Sequence, residues 1–194
     1  MLGALLVSVG ALGCAAGPAP TDHFYRLEAG APERRFELPL LPGTLEIRRF
    51  RSDAVLEERR VLVRRDGRSH EIEPVPYHYW TDSPTRAVQI ELARYLRSAG
   101  VAEGVVMPEA RVRADHVLSG RLLRLEQVLG GKAPTVDLQL ELSLTREADR
   151  TLVLVETYRE QTAASSGKVT DAARALGSAL TRIFDRFLED ASPQ

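Results

Sequence analysis

One cysteine, two methionines and one tryptophan occur in 194 residues, and aromatic residues make up 6% of the chain. A single thiol excludes any disulfide within the chain, so its fold stands on its core alone even in an oxidising compartment. Lysine is scarce too: Lys132 and Lys168 are the only two, and arginine carries the remaining positive charge. The formal net charge is −1, without the global basic excess of a nucleic-acid binder. The four histidines, His23, His70, His78 and His116, stand in no metal-ligand spacing. No Gly-x-Ser-x-Gly elbow, phosphate-binding loop or dinucleotide fingerprint is present. Glu57-Glu58 lies in a charged stretch that reads as a solvated turn rather than an acid/base pair. No enzyme activity, metal or cofactor is expected from these residues.

Residues 1–13 also lack any charged side chain, and this absence is informative. The apolar run Met1-Leu-Gly-Ala-Leu-Leu-Val-Ser-Val-Gly-Ala-Leu-Gly ends at Cys14, the chain's one cysteine. It is too short for a membrane-spanning helix, which needs about 20 apolar residues. Gly3, Gly10 and Gly13 argue against a strong helix. Small residues before a cysteine at the end of a short apolar segment are what a bacterial lipoprotein signal peptidase cuts. The reading is a signal peptide over 1–13 and a diacylglyceryl-modified Cys14 as the mature N-terminus. Residues 14–43, rich in Pro, Gly and Ala, then read as a lipidated tether and irregular lead-in, with a short strand near His23–Leu27.

One domain is expected over 44–190. Thr44–Phe50 and Arg59–Arg65 alternate as strands, the second stopped by the Asp66-Gly67 turn. Ser69–Pro74 is its hairpin partner, ended by Pro74 and Pro76, which cannot donate to a ladder. Ser83 and Pro84 open a helix whose apolar positions Val88, Leu92, Tyr95, Leu96 and Ala99 precede a stop at Gly100. A short strand at Val105–Met107 and three long ones follow: Val117–Val128, Val136–Leu144 and Thr151–Tyr158. Gly120 in the first of these suggests a bulge or close packing. In the second, Val136, Leu138, Leu140, Leu142 and Leu144 share one face while Asp137, Gln139, Glu141 and Ser143 share a wet one. A last amphipathic helix over Val169–Leu188 shows the stripe Val169, Ala172, Leu176, Leu180, Ile183, Phe184 and Phe187. The fold class is α+β: a mainly antiparallel sheet with two amphipathic helices packed on one face.

The densest local feature is Pro74-Val-Pro-Tyr-His-Tyr-Trp80, which holds three aromatic residues within four positions. Its plain reading is a structural corner anchored by the tryptophan. Its sharper reading makes Tyr77, Tyr79 and Trp80 a partner-binding cluster, since such residues are favoured at interfaces. Arg48-Arg49, Arg59-Arg60 and Arg64-Arg65 are balanced by nearby acids and read as a solvated strand surface, with contact to anionic headgroups as an addition.

Cys14, the early Tyr25-Arg-Leu27, Leu41-Pro42, the arginine-rich strand and the passage Pro76-Tyr-His-Tyr-Trp80-Thr-Asp-Ser-Pro84 together resemble the ABC-type transport auxiliary lipoproteins, the PqiC-like family. The resemblance covers nearly the whole chain. It implies a non-catalytic lipoprotein without cofactor, apart from the acyl anchor on Cys14. It implies a seat on the periplasmic face of the outer membrane, where the protein would dock the conduit of a lipid transport system. Its implied partners are an MCE-domain periplasmic protein and an ABC permease and ATPase, with possible self-association into a ring and no nucleic acid. Two other readings stay open: a periplasmic lipid-binding lipoprotein, and one assisting assembly of outer-membrane β-barrels or lipopolysaccharide.

Overall fold

The computed structural model describes residues 19–68 and 70–192. The expected signal peptide, Cys14 and the first tether residues lie outside the described residues. Along the chain run β1 (His23–Tyr25), β2 (Leu41–Ile47), β3 (Arg51–Ser52), α1 (Ala54–Glu57), β4 (Arg60–Arg65) and β5 (Ile72–Trp80). They are followed by α2 (Pro84–Ala99), β6 (Ala102–Val106), β7 (His116–Leu129), β8 (Thr135–Arg146), β9 (Thr151–Ala163) and α3 (Val169–Ala191).

The sheet is organised around β7. On one edge it pairs antiparallel with β8 over nearly its whole length, and β8 pairs likewise with β9. On the other edge three short strands lie end to end, all parallel to it. β2 meets His116–Leu118, β3 meets Arg121–Leu122, and β4 meets Gln127–Leu129. From there β2 carries β6, while β4 carries β5 and then β1. The α+β class holds, and the long β7–β8–β9 ladders make the sheet mainly antiparallel, though the short parallel pairs make it mixed rather than purely so. The parallel pairs join segments far apart in the chain, and their register is set by burial of Leu45, Ile47 and Val63 rather than by a local turn.

The alternation of β8 does what its pattern dictates. Val136, Leu138, Leu140, Leu142 and Leu144 are all fully buried, each contributing about 1.5–3 kcal/mol by leaving water. Against them packs α3 through Leu176, Leu180, Ile183, Phe184 and Phe187, while α2 adds Val88, Leu92, Tyr95 and Leu96 to the same core over β6 and β7. The two helices meet where the Tyr95 and Phe184 rings lie 5.2 Å apart, and the Tyr95 hydroxyl donates to Asp185. Burial and that carboxylate together push the Tyr95 phenol well above its ordinary range. Helix α2 begins with Pro84 in its first turn and ends on Gly100 in the left-handed conformation (φ 70°), whose N–H donates to the Arg97 carbonyl. Ser83 takes the capping position, but its side chain makes no cap bond. Gly120 serves close packing: a Cβ there would come within 2.5 Å of the Phe50 ring. The ladder irregularity lies further on, between Leu122 and Arg124.

The opposite face of β8 is not uniformly wet. Asp137 is 0% exposed and accepts from Arg159 Nε at 2.9 Å and Nη2 at 2.6 Å, and from Arg64 Nη2 at 3.3 Å. Arg64 Nε also reaches Glu126 at 2.6 Å. Burial alone would raise the Asp137 carboxyl, but bonding to the Arg159 guanidinium holds it below the ordinary carboxylate range. Arg64 is thus a buried structural cation rather than part of a solvated surface.

Residues 23–43 belong to the folded unit. Leu27, Ala29 and Leu41 are buried, and Ala29 N–H donates to Glu91 Oε2 at 2.8 Å. Leu41 N–H donates to the Val101 carbonyl at 2.8 Å. Gly177 on α3 admits this lead-in, since a Cβ there would lie 2.3 Å from the Glu28 carbonyl oxygen.

Candidate functional site

Strand β5 passes through both Pro74 and Pro76 instead of stopping at them. It can do so because β4 and β5 lose register there. Leu62 faces Pro74 and Arg60 faces Tyr79, so Val61 alone stands opposite Val75, Pro76, Tyr77 and His78. The extra residues, Pro76 among them, bulge out of the ladder, where a missing N–H costs no bond, while Pro74 stays in register opposite Leu62. Pro76 fixes the approach and Tyr77 takes a left-handed backbone (φ 61°), a conformation bulky residues rarely adopt. The surrounding structure therefore holds Tyr77 outward at some cost, an arrangement that clusters at functional surfaces.

The bulge meets β1, which pairs in parallel with its end: His23 with His78, Phe24 with Tyr79, Tyr25 with Trp80. The imidazoles of His23 and His78 stack at 5.1 Å, and the rings of Phe24 and Tyr79 at 5.7 Å. The Tyr25 hydroxyl and His78 Nδ1 are 2.7 Å apart. Burial, followed by the neighbouring His23, lowers the His78 pKa. The Arg59 guanidinium lies 5.6 Å over the Phe24 ring while its Nε donates to the Trp80 carbonyl at 2.9 Å. Outward, Phe24 is 57% and Tyr77 45% exposed, with Tyr79 half-buried. Inward, Trp80 is 2% exposed and meets the edge of Tyr25.

The structure thus divides the three aromatic candidates. Tyr77 and Tyr79 stand on a surface ledge, whereas Trp80 is a core side chain beneath it. Sequence reasoning missed Phe24 and His23. The pairing of a three-residue strand with a bulged one leaves no periodic signal. The ledge offers aromatic area, two imidazoles and a guanidinium, suited to contact with another molecule. Among the described residues no three His, Cys, Asp or Glu side chains are placed to hold a metal ion. No described helix is long and apolar enough to cross a membrane.

The fold is thus a mixed-sheet α+β domain, and its candidate site is an open aromatic ledge. The chain is a member of the family described as ABC-type transport auxiliary lipoprotein component, whose model matches residues 25–186. Its fold is similar to the crystal structure of protein XCC0632 from Xanthomonas campestris, at a TM-score of 0.73 and 18% identity, covering 86% of this chain and 92% of that one. An uncharacterised protein of known crystal structure gives a TM-score of 0.69 at 12% identity, over 89% of this chain and 100% of that one. Hypothetical protein CT253 from Chlamydia trachomatis gives 0.51 at 12% identity, over 77% and 95%. At such identities the likeness is one of fold. No curated protein sequence matches the chain.

Proposed function

We propose that this auxiliary lipoprotein is a non-catalytic docking component of an MCE/ABC-type lipid transport system in the Gram-negative envelope. In this reading Cys14 carries the acyl anchor, and the domain stands on the periplasmic face of the outer membrane. The ledge of Phe24, Tyr77 and Tyr79 receives the MCE-domain conduit that leads to the permease and ATPase. The observation that carries the reading is Tyr77. An aromatic side chain held outward by a left-handed backbone costs stability, and partner contact gives that cost a use. Exposed aromatics beside an arginine are also the residue types that dominate binding energy at interfaces. Family membership supports the transport setting.

The test is capture of partners by the tagged, lipidated protein after crosslinking in intact cells. Recovery of an MCE-domain protein or its ATPase is expected, and Tyr77→Ala together with Phe24→Ala should diminish it without lowering the melting temperature. Recovery of a β-barrel alone, with no transporter component, would contradict the proposal.

A further inference from the structure

The face of the sheet turned away from α2 and α3 carries a second surface. Arg48, Arg49, Arg51 and Arg121 line a hollow of about 630 Å³ together with Ser119 and Ser143. Arg48 and Ser119 also line an adjoining hollow of about 310 Å³, which adds Thr145 and Arg150. The combined lining holds five arginines against two acids, Glu141 and Glu147. Arg51 and Arg150 form no ion pair among the described residues. The others are loosely held: Arg48 lies 3.6 Å from Glu46 and 3.9 Å from Glu147, Arg49 3.6 Å from Glu109, and Arg121 3.3 Å from Asp53. Exposed pairs of this kind contribute little and exchange readily with another anion.

The same face turns apolar one strand further on. Ser143 pairs with Val155 and Thr145 with Leu152, and these two aliphatic side chains are 51% and 55% exposed. Two strand spacings, about 10 Å, separate Arg121 on β7 from β9, and Arg48, Arg49 and Arg51 lie on the far side of β7 from it. Guanidinium groups, then hydroxyls, then aliphatic groups form the sequence met on passing from headgroup phosphates into the acyl region of a bilayer. Guanidinium forks match phosphate oxygens in pairs, and hydroxyls donate to the same oxygens. This part of the face offers no stacked rings to suit nucleic-acid bases.

We infer that this face rests on an anionic membrane leaflet, with its arginines on phosphodiester groups and Leu152 and Val155 entering the interface. The inference rests on the anchored-lipoprotein reading. Nine residues lead from Cys14 to His23, which keeps the domain within about 30 Å of the lipid even when fully extended. The anchor holds the domain near the leaflet, and this face sets which way it stands.

The experiment uses the mature chain, residues 14–194 carrying Cys14→Ser, so that neither the acyl anchor nor the apolar signal peptide decides the result. It is mixed with vesicles of phosphatidylcholine alone, or of phosphatidylcholine with phosphatidylglycerol, and floated. Binding is expected to the anionic vesicles only, falling with added salt. Arg48→Gln, Arg51→Gln and Arg121→Gln combined should weaken it by about a hundredfold. Leu152→Ser with Val155→Ser should weaken it without changing its salt dependence. Melting curves and capture of the transport partner, both unchanged, confirm that these exposed substitutions leave the fold and the aromatic ledge intact. Flotation that is absent from the parent, or equal in the arginine variant, overturns the inference. So does a melting shift produced by inorganic phosphate while vesicles are ignored, which assigns the hollow to a free anion. The anchor reading fails separately, if the mature wild-type protein carries no acyl mass on Cys14.

Discussion

Replacing Asp137 by alanine gives the sharpest test of the structural account, because sequence pattern and structure disagree about this residue. By pattern it shares the wet face of β8 with Gln139, Glu141 and Ser143, where a substitution costs within about 0.5 kcal/mol. In the structure it is buried between two guanidiniums. Its removal strands them unequally. Arg159, half exposed, returns to water, whereas Arg64 has only 11% of its side chain exposed and keeps Glu126 as its remaining carboxylate. The loss therefore falls at the lower end of the range for breaking a buried ion pair, about 3 kcal/mol. In a domain of this size that lowers the melting temperature by about 6–12 °C. The pH dependence has a definite sign. The Asp137 carboxyl is held below its ordinary 3.8, so its contribution is complete above that value and is lost as the pH falls further, through the lowered folded-state value. Thermal unfolding of wild type, Asp137→Ala and Glu141→Ala, near neutrality and in acid, is the assay. Asp137→Ala should melt well below Glu141→Ala at neutral pH, and its gap from wild type should narrow in acid. Equal melting of the two variants would refute the buried cluster.

Gly177→Ala drives a methyl group into the Glu28 carbonyl and should cost about 1–3 kcal/mol, with faster amide exchange along residues 27–30. Tyr77→Gly relieves the left-handed strain, so thermal melting should show stability kept or raised by about 1 kcal/mol, while partner capture falls; loss of both would return Tyr77 to a structural role. His78 has a lowered pKa through burial and then through His23, so the unfolded state takes the proton first as pH falls below 6.5. Its contribution is complete above that value and is lost below it. Protection of the β1 amides, corrected for the intrinsic exchange rate, should therefore fall on acidification, and His78→Gln should abolish that dependence.

Much of the fold was legible because several elements carry their own instructions. The β8 alternation, the α3 stripe, the Ser83-Pro84 start and Gly100 stop of α2, and the Asp66-Gly67 turn each act within a few residues. What escaped depends on partners far along the chain. Nothing local in β2, β3 and β4 says that all three lie parallel on one edge of β7. Asp137 reads as solvent-facing until Arg64 and Arg159, 73 and 22 residues away, are brought to it. Pro76 of β5 looks like a terminator until the unmatched bulge removes the need for its N–H group. The aromatic ledge was half legible. Tyr77, Tyr79 and Trp80 stand together in sequence, but only the fold sends Trp80 inward and supplies Phe24.

The docking claim is tested most directly by placing a photo-crosslinking amino acid at position 77, in cells that express the lipidated protein. The account predicts an adduct with an MCE-domain protein that is absent when the probe stands instead at Glu103, on β6. An equal adduct from both positions, or one with a β-barrel alone, would contradict it.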